Sequence, residues 1–472
     1  MRSPALLRVA APVRGEVMRM VGPVMLEQLI ISSMGIVGTV LASRLGKDAI
    51  MPIGMVDQLH FLFILFFTSI AAGATVVVAQ HTGRGELDQA NEATRQAMAT
   101  SLAISVVLVI VLALAGMPVI DLLYGRQRDA IRNAVPSYLI PSLLSYPALA
   151  VVSVGCGVLR GAGDTRTPMI ITVMMGILNA ILSALLIYGT QFQLFGISFS
   201  LPALRIEGAA LAVLISRLFA AALIGYVLLR GQRSIKISLK GFRVHMGLQR
   251  SILSIGVPMT AESLLFQVGK LITGVIIVKL GEAHMNANVI AGSIFSLICI
   301  PGNAFAIAAM PLVGQSVGRA DYDEARDKLL FVNWLSSLGL AVTCLAMYLF
   351  SGPLVRLYTT DPTVIPIAIS MLNIIAVTMP LFWSVSFVLP AGLKGASDAK
   401  YSMITTVIGM WVFRVLLGYI LGIVMNWGAV GIYVGMSVDW AVRGMLYYIR
   451  VRGTKWFQHA HRRLLALQNE QQ

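Results

Sequence analysis

Long apolar segments with almost no charged residues recur along this 472-residue chain. Each is at least as long as the roughly 20 residues that an α-helix needs to cross a bilayer. Only 12% of the residues are charged, whereas a soluble domain carries about 25%. The sequence therefore predicts an all-α polytopic membrane protein. Its twelve helices span about residues 21–44, 50–79, 97–119, 134–158, 167–189, 207–229, 252–280, 287–315, 329–350, 364–392, 402–424 and 429–450.

The chain also repeats itself with a period of 235 residues. Residues 23–46 align with residues 258–281, which places Glu27 on Glu262, each four residues after a proline. Farther along the shift becomes 234, and LRGAGD at 159–164 aligns with LKGASD at 393–398. Such a period is too long for a solenoid. It indicates two parallel six-helix repeats about an axis along the membrane normal, with a site between them near the midplane.

The positions of Lys and Arg predict the orientation and the domain boundaries. With the N-terminus inside, the cytoplasmic segments hold 24 Lys and Arg residues and the outer loops hold 8. This bias predicts a multi-pass membrane protein with both termini in the cytoplasm. Because the net charge of +15 lies mostly in these loops, we expect no nucleic-acid partner. The predicted domains are an N-lobe (1–229), a basic linker (230–250), a C-lobe (251–450) and a basic cytoplasmic tail (451–472).

Charged side chains inside the spans are the first candidates for function, because a bilayer tolerates few of them. Glu27 and Glu262 lie in spans one and seven, and Asp57 lies in span two close to His60. Lys270 follows Glu262 by eight residues and lies on nearly the same helix face. A carboxylate at an internal cavity can bind H⁺ or Na⁺ in one state and release it in another. The alternative is a structural ion pair.

Most other charged residues of the spans are interpreted as structural, and motifs typical of enzymes are absent from the sequence. Arg414 and the i, i+4 pair of Asp439 and Arg443 fit structural pairing, and Arg217 is undecided. The sequence contains no G-x-x-x-x-G-K-[ST] motif, which would bind nucleotide phosphates. The spans show no catalytic pair and no metal-ligand set. We therefore expect a carrier and not an enzyme, with no cofactor and no metal centre.

Prolines interrupt several spans and are candidate hinges. Pro23 and Pro258 are equivalent in the repeat, and Pro301 lies in span eight. A proline within a helix removes a backbone hydrogen bond and bends the helix. The bends could move during transport, or they could only shape the packing of the helices.

Several separated motifs resemble the multidrug and toxic compound extrusion (MATE) family. They are the twin P-x-x-x-E segments, VAQHTGRG at 78–85, LRGAGDTRTP at 159–168, IPGNA at 300–304 and PLVGQSVGRAD at 311–321. The resemblance covers essentially the whole chain. It implies a V-shaped pair of six-helix lobes around a central cavity. It also implies export of organic, often cationic, compounds in exchange for protons or sodium.

The chain departs from the family at positions where relatives often carry acids. Span one has Gly38, span five has Ser183 four residues after Asn179, and span ten has Trp383. The acids that most often couple transport to an ion are therefore absent. Ion coupling in this chain would depend on other carboxylates.

These observations predict an inner-membrane secondary transporter that exports a small, cationic or amphiphilic molecule by antiport with H⁺ or Na⁺. We expect the protein to be a monomer embedded in the lipid bilayer. Glu262, Gln267 and Lys270 resemble a pattern from one branch of the family, which favours a coupling site in the second lobe. Asp57 and Glu27 would support it, and Asn179 is a further candidate for binding.

Two alternatives within transport remain open. The cargo could be an anionic metabolite such as a flavin, or the protein could be a flippase for a lipid-linked precursor. Either cargo would need cations in the cavity, for which Lys270 and Arg217 are the candidates.

Overall fold

The structure is a computed structural model that describes residues 11–43, 47–124, 129–194, 197–231, 235–238 and 242–458. Parts of the predicted linker (232–234 and 239–241) and most of the predicted tail (459–472) lie outside these residues. The elements are α1 (Ala11–Ser43), α2 (Lys47–Arg84), α3 (Leu87–Tyr124), α4 (Asp129–Leu144), α5 (Tyr146–Gly161), α6 (Arg166–Tyr188), β1 (Thr190–Leu194), β2 (Ile197–Leu201), α7 (Arg205–Arg230), α8 (Met246–Val278), α9 (Glu282–Ile298), α10 (Ile300–Gly318), α11 (Tyr322–Arg356), α12 (Val364–Thr378), α13 (Ser384–Gly395), α14 (Ala399–Ile408) and α15 (Gly428–Arg452).

All twelve predicted spans correspond to helical segments of the structure. Among the described residues, nine helical segments are long and apolar enough to cross a membrane. Two further spans are bent pairs, α4 with α5 and α9 with α10. The twelfth is α15, which carries Asp439 and Arg443 within its length. The all-α polytopic prediction is confirmed.

Of the three prolines predicted to be hinges, only Pro301 lies at a bend between two helices. The axis turns by 51° between α9 and α10, where Pro301 occupies the first turn of α10. It turns by 44° between α4 and α5, where Pro147 begins the second helix. Pro23 and Pro258 instead lie inside the continuous helices α1 and α8. The hinge role of Pro23, Pro258 and Pro301 stays a prediction.

Short π-helical segments modify the last spans. One joins α12 to α13 (Met379–Trp383), and two continue α14 (Gly409–Leu417 and Ile420–Val424). A π-turn inserts one extra residue, so it rotates the following side chains relative to a regular helix. Trp383 and Arg414 both lie in such segments.

A two-stranded antiparallel hairpin precedes α7, and the all-helical prediction does not include it. β1 pairs with β2 so that Phe192 is opposite Phe199. The sequence TQFQL…ISFSL alternates apolar and polar residues, which is the period-2 pattern of a strand. The stretch is too short and too polar to give a signal comparable to that of the spans.

The described residues form two compact units. The C unit contains those of 1–25, 79–86 and 253–472, and the N unit contains those of 26–78 and 87–252. Trp440, Trp456 and Tyr447 are fully buried in the C unit, and so are Phe67 and Tyr146 in the N unit. Each unit therefore has a hydrophobic core of its own. The predicted boundaries at residues 229 and 251 stay a prediction.

Within the C unit, the ends of α2 and α10 cross through equivalent positions of the repeat. A side-chain carbon added to Gly83 would collide with the Gln315 carbonyl oxygen, and one added to Gly318 would collide with the Gln80 carbonyl oxygen. Both obstacles are backbone atoms, which cannot rotate away. This crossing requires glycine on both helices.

We expect Gly83→Ala and Gly318→Ala each to lower the free energy of unfolding by about 1–3 kcal/mol, the usual range for overpacking. The matched control is Gly225→Ala in α7, where an added carbon meets no atom within 4 Å. Thermal unfolding of the purified variants measures the effect. Equal stability of all three variants would contradict the close crossing.

Candidate functional site

Glu262 lies in α8 and is buried in a network of polar side chains. Its Oε1 accepts hydrogen bonds from Lys394 Nζ at 2.9 Å and from Thr406 Oγ1 at 3.0 Å. Ser402 Oγ lies 3.4 Å from Oε2. The Tyr447 hydroxyl contacts Thr406 Oγ1 at 2.8 Å and donates to the Ser402 carbonyl at 3.0 Å. The network connects α8 to α13, α14 and α15.

Glu27 has the equivalent partner in the N unit. Its Oε1 accepts from Arg160 Nη2 at 2.6 Å, and the side chain is 2% exposed. Arg160 aligns with Lys394 in the repeat, so each half pairs its carboxylate with the cation of its LRG or LKG turn. Among the described residues Glu27 Oε2 has no hydrogen-bond donor. The second copy is therefore less completely satisfied than the first.

Asp57 differs from the two glutamates because it is exposed. Its Oδ1 accepts from the buried Tyr138 hydroxyl at 3.0 Å. In the part of the chain that the structure describes, no ion pair involves Asp57. A carboxylate at this depth is costly against lipid, so its exposed side is expected to face water.

A second polar cluster of the N unit surrounds His60. The His60 Nδ1 contacts the Tyr146 hydroxyl at 3.0 Å, and Arg217 Nη1 lies 2.6 Å from His60 Nε2. Arg217 also donates to Ser145 Oγ at 2.7 Å. His60 is therefore a buried histidine with a partner at each ring nitrogen. The Arg217 guanidinium group is hydrogen-bonded within the same cluster.

Lys270 lies apart from the Glu262 network and lines a cavity of about 500 Å³ in the C unit. It is exposed, and no acidic partner for it occurs within the described ranges. Gln267 lies between Glu262 and Lys270 on α8 and is half-buried. In the N unit Asn179 is half-buried, and its Oδ1 meets no donor from the described side chains. The structure therefore does not gather the predicted site residues into one cluster.

Arg414 lines the cavity and belongs to a group of three buried charged residues with Asp439 and Arg443. Asp439 binds Arg443 through both carboxylate oxygens, with distances of 2.7 Å to Nε and 3.0 Å to Nη2. Arg414 Nε is farther away, 3.8 Å from Asp439 Oδ2. One carboxylate thus faces two guanidinium groups. The i, i+4 pairing of Asp439 and Arg443 agrees with the sequence interpretation, but Arg414 itself lines the cavity.

The partners of the two glutamates were not predicted from the sequence. Arg160 and Lys394 are among the cytoplasmic Lys and Arg residues that predict the orientation, whereas both form ion pairs with carboxylates of the spans. A signal was available, because the repeat carries an acid and a cation at equivalent positions of both halves. The cavity-lining position of Arg414 was also not predicted, because it depends on how the π-helical segment is rotated.

A protein-family model described as MatE matches the chain twice, over residues 23–185 and 258–420. The two matches are offset by 235 residues, which is the period of the internal repeat. Together they cover more than half of the chain.

Individual proteins and structures agree with this match. The uncharacterized transporter YisQ of Bacillus subtilis is 28% identical over 92% of this chain and 93% of its own length. The probable multidrug resistance protein NorM of Thermotoga maritima is 26% identical over 95% of this chain and 94% of its own. A crystal structure of MATE in the straight conformation superimposes with a TM-score of 0.84 at 20% identity, covering 99% of both chains. The fold, the repeated family match and the relatives together show that this chain belongs to the multidrug and toxic compound extrusion (MATE) family of transporters.

Proposed function

We propose that this multi-pass membrane protein is a secondary active exporter that exchanges organic compounds for protons. Glu262 is the principal coupling acid, and Asp57 and Glu27 support it. The observation that carries the proposal is the buried Glu262 carboxylate, bound by Lys394 and two hydroxyl groups. Its copy at Glu27 and Arg160 gives the other half the same pair.

The Glu262–Lys394 pair links proton binding to helix contacts. The charged carboxylate is stabilised by the ammonium group and by the hydroxyls that donate to it. When Glu262 takes up a proton, it loses that attraction and leaves an ammonium group, on a side chain only 14% exposed, without a counter-charge. Because unpaired buried charges are strongly unfavourable, the protonated state favours a different contact between α8 and α13. A proton then shifts the conformational equilibrium by its unequal affinity for the two states.

The same geometry favours a proton over sodium. Lys394 Nζ lies 2.9 Å from Glu262 Oε1, so a sodium ion at this oxygen would have to displace the ammonium group. A proton needs only one lone pair of the carboxylate. The sodium alternative is retained as an outcome of the test.

The test uses the wild-type protein in proteoliposomes under an imposed proton gradient and, separately, an imposed sodium gradient. Both a cationic dye, ethidium, and an anionic dye, carboxyfluorescein, are followed, so the result does not depend on the charge of the cargo. We expect the proton gradient alone to accelerate transport of at least one dye. Acceleration by sodium alone, or by neither gradient, would overturn proton antiport.

The relatives' names and the family resemblance suggest a drug-like cargo, often a cation. A cationic or amphiphilic cargo therefore stays the prediction from the resemblance. So do a monomeric state and the cytoplasmic position of both termini. The positive charges that line the cavity of the C unit favour a different cargo.

A further inference from the structure

The cavity of the C unit combines aromatic walls with positive charge. We propose that it binds aromatic organic anions, with Lys270 and Arg414 contacting the anionic group and the rings contacting the aromatic part. That the bound anion is also the transported cargo rests on the proposed export function. Binding itself requires no ion gradient, so the two proposals fail separately.

The shape and the walls of the cavity suit a small aromatic molecule. Its volume of about 500 Å³ is within the usual range for ligand pockets, roughly 300–1,000 Å³. Aromatic side chains from four elements line it. They are Phe266 of α8, Phe295 of α9, Trp383 and Phe387 of the tenth span, and Tyr433 and Trp440 of α15.

Four of the rings already form two stacked pairs. Trp383 and Phe387 stack with centroids 4.6 Å apart, and Phe295 and Trp440 stack at 5.9 Å with an interplanar angle of 14°. Offset stacking of aromatic rings contributes to binding beyond the area that it buries. A planar cargo could extend the second stack at Phe295, which is half-buried, whereas Trp440 is fully buried.

The charges near the cavity are mainly positive. Lys270 and Arg414 line the cavity, and none of its described lining residues is Asp or Glu. Behind the wall, Asp439 is bound by Arg443 through both oxygens and reaches Arg414 only at 3.8 Å. Two guanidinium groups thus share one carboxylate, and Lys270 adds a third positive charge at the cavity. A bound anion would supply the missing negative charge.

Two buried donors in the wall have no acceptor. Trp440 is fully buried, and its indole N–H finds no partner among the described residues. Arg414 is 7% exposed, and its Nε–H is likewise without a hydrogen bond there. Native structures satisfy nearly all such groups. An oxyanion in the cavity could accept from both donors.

Aromatic cavities also bind cations, but here a protein cation already lies over two of the rings. Arg414 lies 5.4 Å from the Phe266 centroid and 5.9 Å from that of Trp440. A second cation on these faces would meet the charges of Arg414 and Lys270 at short range in a low-dielectric setting. The cavity therefore selects against cations and for anions.

The test measures equilibrium binding to the full-length protein in nanodiscs, without a gradient. Carboxyfluorescein is the aromatic anion, ethidium the aromatic cation, and inorganic phosphate an anion without a ring. Lys270→Met removes the charge at nearly constant size, and Lys270→Arg keeps it. Lys279→Met is the matched control, because Lys279 is an exposed lysine directly after α8 that does not line the cavity.

We expect wild type to bind carboxyfluorescein more tightly than ethidium and to be competed only weakly by phosphate. Lys270→Met should weaken carboxyfluorescein binding roughly tenfold or more, the effect of one charge-assisted hydrogen bond. Lys279→Met should not change this affinity, and Lys270→Arg should largely preserve it. Ethidium should bind Lys270→Met at least as well as wild type.

The inference is overturned if wild type does not bind carboxyfluorescein saturably, if it prefers ethidium, or if Lys270→Met binds carboxyfluorescein as wild type does. In each case proton-driven export in the wild-type liposome assay would still stand. If instead binding behaves as expected and no gradient drives transport, the coupling proposal fails and the anion site stands.

Discussion

Replacing Glu262 with glutamine is expected to reduce proton-driven transport to the rate measured without a gradient. Glutamine keeps the size of the side chain and an oxygen that can accept hydrogen bonds. It cannot take up or release a proton, and it leaves Lys394 without its counter-charge. The measurement is dye transport in proteoliposomes with and without an imposed proton gradient.

Two matched variants define the specificity of this effect. Glu282→Gln changes an exposed glutamate in the first turn of α9 and should respond to the gradient as wild type does. Glu27→Gln changes the repeat-equivalent residue and should reduce the response only in part. If Glu262→Gln keeps the full response while Glu27→Gln loses it, the principal coupling acid belongs to the first half.

Asp439→Asn is expected to produce the largest loss of stability, about 3–5 kcal/mol, the usual effect of removing one partner of a buried ion pair. Asp439 is fully buried between Arg443 and Arg414, which are themselves 1% and 7% exposed. The neutral amide leaves two guanidinium groups facing each other in the core. Thermal unfolding of the purified variant reports the effect as a lower Tm.

The controls for this prediction restore the charge balance or move the change to the surface. Adding Arg414→Met to Asp439→Asn removes one excess cation, so the double variant should be more stable than Asp439→Asn alone. Asp323→Asn alters a side chain that is 91% exposed and should unfold close to the wild-type temperature. A double variant that is still less stable would show that charge imbalance is not the cause.

The helices could be predicted from the sequence because a membrane span is a local property. About 20 consecutive apolar residues satisfy the length and solvation requirements of a bilayer without reference to any other segment. The same holds for the bend before Pro301, since proline disrupts its own helix. The hairpin at Thr190–Leu201 was missed, because two five-residue strands give a much weaker signal than a span.

The partners of the charged residues were harder to predict from the sequence than the helices were. Lys394 is 132 residues from Glu262, and Arg160 is 133 residues from Glu27. No local periodicity relates positions so far apart. The repeat was the one long-range signal, because it places an acid and a cation at equivalent positions in both halves.

The sequence by itself determined that this chain is a twelve-span helical membrane protein with a twofold repeat and a few charges inside its spans. Hydrophobic length and internal alignment are written along the chain, so they need no three-dimensional information. Only the tertiary structure decided which charges meet. It separated Lys270 from the Glu262 network and brought Arg414 beside Lys270 in one aromatic cavity. Helix rotation, π-helical insertions and packing set these contacts, and each depends on residues from several spans at once.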